Sequence, residues 1–185
     1  MIISFRSPAE LRKWLAANHD TSDGIWLRIF KKNSETLSIT YAEALDEALC
    51  FGWIDGQKKP NDEFSWLQKF TRRRAKSGWS KINTGHAERL MRAGKMRAAG
   101  RAEIEAAKKD GRWNAAYDSP RNATFPEEFL KALRRDPKAQ AFFESLNKAN
   151  RYAICYRLQT AKKAETRQRR MEMILGMLAR GEAFH

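Results

Sequence analysis

A chain of 185 residues with 36 Lys and Arg against 22 Asp and Glu carries a formal charge of +14. Its length suffices for one domain or two small ones with a buried core, and six Trp with ten Phe exclude a disordered chain. No apolar run is long enough to span a bilayer and no cleavable leader is visible, so a cytoplasmic protein without membrane insertion is expected.

Ser7, Pro8 and Glu10 supply an N-cap, a first-turn proline and a capping box. They open a helix that runs to about Asn18, with Leu11, Trp14 and Leu15 at helical spacing. Residues 25–32 are β-branched and aromatic and predict a strand, which a turn at Asn33-Ser34 ends. Thr40 with Glu43 forms a second capping box, and Gly52 stops that helix as a C-terminal cap. Residues 53–57 and 64–73 read as the two strands of a hairpin, joined by the polar run 58–63.

Beyond Thr84 the pattern turns helical. One helix covers 84–93 and stops at Gly94; the next covers 96–109 and stops at Gly111. The irregular stretch after Gly111 is the expected domain boundary. Pro126 and Pro137 each start a helix, and a final pair, or one bent helix, follows from about Asn150 to Arg180. Met171, Ile174, Leu175 and Leu178 fall at i, i+3, i+4 and i+7, an amphipathic stripe that reads as core. The expected fold is therefore α+β: a small antiparallel sheet with helices in the N-terminal half and a helical C-terminal half. An α+β unit over 1–113 and a helical unit over 122–185 are the expected domains.

The charge is localised. Residues 64–101 hold eleven basic groups and one acidic one, Glu88, with Trp66, Phe70 and Trp79 interleaved. Arginine pairs bidentately with phosphate, and exposed aromatic rings stack on single-stranded bases. Arg72, Arg73, Arg74, Lys76 and Lys81 are thus the candidate cations, and Trp66 and Trp79 the candidate stacking rings, for an anionic partner: nucleic acid or an acidic protein. The alternative is a small-ligand protein or enzyme with a Trp-lined pocket for an anionic substrate. There Trp53 would be a wall and Asp55 and His86 the polar groups. Asp55, bracketed by Gly52 and Gly56, fits a structural ion pair better than a general base. Cys50 and Cys155 sit among apolar neighbours and read as reduced core thiols. His19, His86 and His185 lack metal-ligand spacing, and no glycine-rich phosphate loop occurs, so neither a metal nor a cofactor is expected.

Several strings in order along the chain carry a resemblance. They are residues 7–15 (Ser-Pro-Ala-Glu-Leu-Arg-Lys-Trp-Leu), 40–56 (from Thr40-Tyr41-Ala42-Glu43 to Gly52-Trp53-Ile54-Asp55-Gly56), 70–74, 77–83, 107–113 and 161–170. In these the chain resembles the YdeI/OmpD-associated family of bacteriocin-protection proteins, with residues 126–181 similar to its compact helical segment. Arg72 stands where the family's Phe-Thr-Pro-Arg run has proline. The resemblance implies a cytoplasmic bacterial protein, linked to tolerance of bacteriocins or cationic peptides and, by the family name, to a porin, and the leading expectation is a non-enzymatic role. It brings no catalytic residues. A chain this basic repels cationic peptides, so the implied role is indirect, through an anionic target.

Overall fold

The structure, a computed structural model, describes residues 1–120 and 122–185. The described residues divide into two compact units, the first made of Met1–Gly78 and Asn83–Asn114, the second of Trp79–Ile82 and Ala115–His185.

The first unit is built on a four-stranded sheet of order β1-β2-β4-β3, comprising β1 (Ile2–Ile3), β2 (Ile25–Phe30), β3 (Trp53–Pro60) and β4 (Ser65–Arg72). The pairs β2–β4 and β3–β4 are antiparallel, as expected. The short strand β1 pairs parallel to β2, which makes the sheet mixed. Strand β3 runs three residues past its expected end because a bulge between Asp55 and Lys58 shifts its register and lets pairing resume at Lys58. The buried Gln68 side chain satisfies the carbonyls freed there, donating to Gly56 O at 2.9 Å and Gln57 O at 3.2 Å.

Helix α1 (Pro8–Asn18) starts where the Ser7 side chain accepts from the Glu10 backbone. Helix α2 (Tyr41–Cys50) starts with a complete capping box between Thr40 and Glu43. It ends at Gly52, whose φ of +73° is the left-handed conformation a helix C-terminus uses. Leu11 and Leu15 of α1, Ala44, Leu45, Ala48 and Leu49 of α2, and Ile25, Leu27, Ile29, Trp53 and Phe70 of the sheet are all buried. Helices α3 (Lys81–Arg92) and α4 (Ala98–Lys109) follow, both close to their expected spans. Helix α4 packs on α2 at Gly100, where an added Cβ would lie 2.5 Å from Cys50 O and 2.6 Å from Leu49 O.

The second unit holds α5 (Glu127–Leu133), α6 (Pro137–Ser145), α7 (Lys148–Gln159) and α8 (Ala164–Ala179). Asp136 and Asn147 cap α6 and α7 through their side chains. The stretch from Asn150 is therefore two helices. Phe129, Leu133, Phe143, Ile154, Leu158, Met171, Ile174 and Leu178 form the core, which takes in three members of the expected stripe. No helix among the described residues is long and apolar enough to cross a membrane.

Candidate functional site

Alternation along β2 gives the sheet two unlike faces. Ile25, Leu27 and Ile29 point into the core, while Trp26, Arg28 and Phe30 lie half-buried on the other face. Register places Ile2 and Lys69 beside Trp26, and Leu67 beside Arg28 and Lys59, on that second face. The contacts of α1 and α4 run to α2, and those of α2 to β3.

The β3–β4 hairpin carries its cations on aromatic rings. Lys59 Nζ lies 4.2 Å from the centre of Trp26 and Lys69 Nζ 5.5 Å from it, on the second face. Lys58 Nζ lies 4.2 Å from the centre of Trp66, a half-buried ring that also touches Tyr41. Arg28 lies over Phe30 at 4.5 Å and is also paired to Asp62 at 2.7 Å. Among the described residues no carboxylate pairs with Lys58, Lys59 or Lys69. Next to Trp66 a cleft of about 420 Å³ opens, bordered by Lys31, Lys58, Lys59, Asp62 and Ser65.

The five cations named from the sequence differ in their settings. Arg72, Arg74 and Lys76 are exposed, and Arg72 donates to the Asp20 carbonyl at 2.9 Å. Arg73 is 7% exposed and its guanidinium reaches Gly78 O at 3.5 Å. Buried Arg112 donates to Ser77 O at 2.9 Å, so two guanidiniums hold the loop after β4. Lys81 belongs to the second unit, where its ammonium meets Asp118 at 2.8 Å. Trp79, also of that unit, is 2% exposed and offers no ring face to a base.

The alternative pocket is not assembled either. Trp53 is fully buried, its indole N–H donating to His19 O at 2.9 Å and its ring edge-on to Trp14. Asp55 accepts from the Tyr41 hydroxyl at 2.8 Å; burial and that bond raise the phenol's pKa, so it stays a donor. His86 Nδ1 meets Asp46 at 2.8 Å, together with Arg89 at 2.7 Å. Asp55 and His86 thus have separate partners. A different polar cleft, of about 320 Å³, lies beside Gly52 and is bordered by His19, Asp20, Arg72, Arg73 and Glu103.

Sequence reasoning singled out neither Trp26 nor Lys58 and Lys59, because the two lysines fell in the expected hairpin connection. The alternation Ile-Trp-Leu-Arg-Ile-Phe in β2, with every second residue aromatic or basic, is the signal that exposes the face.

The first family profile that matches, over residues 3–103, is described as "Domain of unknown function (DUF8412)"; the second, over 122–181, as "Bacteriocin-protection, YdeI or OmpD-Associated". No curated protein and no solved structure matches significantly. The chain belongs to the DUF8412 family, with a YdeI/OmpD-associated segment as its C-terminal part.

Proposed function

We propose, starting from that membership, that the chain is a non-enzymatic cytoplasmic protein acting in bacteriocin or cationic-peptide tolerance through an anionic partner, with nucleic acid as the partner class. One observation carries the reading. Lys58, Lys59, Lys69, Arg72, Arg74 and Lys76 lie along one hairpin and its outgoing loop, and among the described residues no carboxylate pairs with any of them. In the same unit Arg12, Arg28, Arg89 and Arg112 are all paired. Unneutralised cations at close quarters repel one another, and a polyanion relieves that repulsion while releasing its own counterions.

The test is retention on duplex DNA and on heparin as salt is raised. The expected result is affinity that falls steeply with salt, at least ~10-fold weaker in an Arg72→Glu, Arg74→Glu variant, with a shallower salt slope. Absence of binding to either polyanion at low salt overturns the reading. The cleft beside Gly52 favours a second reading, a small-ligand protein, because two arginines, Arg72 and Arg73, border it. A thermal-shift screen of small carboxylates and phosphates tests that, and a response lost in Arg72→Gln would support it.

A further inference from the structure

We propose that the second face of the sheet, centred on Trp26, is a stacking platform for single-stranded nucleic acid. The inference rests on the anionic-partner reading and adds the strand type and the place.

Three features of the face fit a single strand. First, its aromatic residues are arranged for stacking. Trp26 and Phe30 lie four residues apart on β2, roughly 13 Å at the rise of a strand. Bases seated on both must be splayed from one another, which a single strand permits and a duplex does not. Exposed Ile2 (56%) stands beside Trp26 in register and widens the apolar floor.

Second, the cations are where a backbone would run. Lys59 and Lys69 reach Trp26 from β3 and β4, on one side of the ring. An ammonium on an aromatic face is held only weakly, whereas a phosphate offers a full opposite charge. A base arriving on Trp26 therefore displaces the lysines only as far as its own phosphates. The cleft bordered by Lys31, Lys58 and Lys59 continues this basic path around the hairpin end.

Third, among the described residues no strand position of this face carries a carboxylate. At the positions that register places there, β1 offers Ile2, β2 offers Trp26, Arg28 and Phe30, and β4 offers Ser65, Leu67, Lys69 and Thr71. Asp62, in the hairpin loop, is already engaged by Arg28 and by the Ser65 hydroxyl, both at 2.7 Å. Leu67, in register between Arg28 and Lys59, is buried. Such a surface reads neither base edges nor duplex shape, so the proposed binding is tolerant of sequence and covers about two or three nucleotides.

The deciding experiment is anisotropy of labelled oligo-dT, oligo-U and a mixed-sequence duplex of equal length, at low salt, with the full chain. Expected are tighter binding of a single strand than of duplex and a 5- to 100-fold loss in Trp26→Ala, on the order of one stacked base. Trp26→Phe should retain most of the affinity, and a Lys59→Glu, Lys69→Glu variant should lose it. If Trp26→Ala proves misfolded by circular dichroism, the Phe and double-Glu variants decide alone. Duplex binding equal to single-strand binding, unmoved by any of these changes but lost in Arg72→Glu, Arg74→Glu, overturns the platform and leaves the anionic reading standing. Failure of the wild-type chain to bind any strand or heparin overturns both.

Discussion

Cys50 is a sulfur that has been made inert. It is fully buried, and burial, followed by the nearby Glu47 carboxylate, pushes its thiol up to about 11. Arg12 approaches the sulfur at 3.8 Å but is paired at 2.7 Å to Glu47, so its charge is largely spent on the carboxylate. Cys155 is also buried, its S–H donating to Thr124 O at 3.2 Å, and burial raises its pKa too. Neither thiol should react with iodoacetamide at neutral pH in the native protein, while both should react after denaturation. Mass spectrometry showing Cys50 alkylated at the rate of a free thiol would refute this. A second consequence concerns acid. Burial pushes the Asp46 carboxyl up, but hydrogen bonds from Arg89 and His86 outweigh it and hold the group below its ordinary range. A depressed carboxyl stabilises the fold above its unfolded pKa of about 3.9, and the gain is lost as pH falls through the folded value. Asp46→Asn should therefore be less stable near neutrality, with its deficit closing below about pH 4. Equal deficits at pH 7 and pH 3, read from urea midpoints, would remove this assignment.

At the scale of elements the tightest junction is α2 against α4. Gly to Ala inside a helix ordinarily stabilises by about 1 kcal/mol. At Gly100 the sign should reverse, because the new methyl would meet two backbone carbonyls of α2 and the Met96 sulfur at 2.5–2.6 Å. Overpacking of this kind costs roughly 1–3 kcal/mol, so Gly100→Ala should lower the urea midpoint. An unchanged or higher midpoint would mean that α4 does not approach α2 so closely. Gly100 carries no local sign of this role, since its contact is made across elements. Helix ends, in contrast, were legible, because Ser7, Thr40, Gly52, Gly94 and Gly111 act on their own neighbours in the chain. Strand β1 was not legible: two residues hold it, and its pairing with Trp26 and Leu27 is long-range. The same distinction separates the tryptophans. Their number marked an aromatic protein, but only burial shows Trp53 and Trp79 inward, and only register places Trp26 on the second face. Arg73, read as a surface cation, turned out to hold a loop, because burial is decided by what packs over it.

At the scale of the whole molecule, the buried helical cluster of the second unit is drawn from residues 129–178, with Phe125 and Phe184 packed against it. A fragment over 122–185 should therefore fold by itself, with a helical far-ultraviolet spectrum and a cooperative melt. At this size stability is marginal, of the order of a few kcal/mol. A random-coil spectrum at low temperature would show that the core depends on the rest of the chain. The units are nonetheless not consecutive. Trp79–Ile82 belong with the second, and Ser80 bridges in parallel to Tyr117, while residues 83–114 return to the first. On a ribosome adding ~5–20 residues per second, Trp79 leaves the exit tunnel some seconds before Tyr117 does. During that interval an indole destined for the interior is held in water with its bridging strand still unmade. The order of synthesis thus gives a chaperone, or a neighbouring nascent chain, a brief hydrophobic handle midway along the polypeptide.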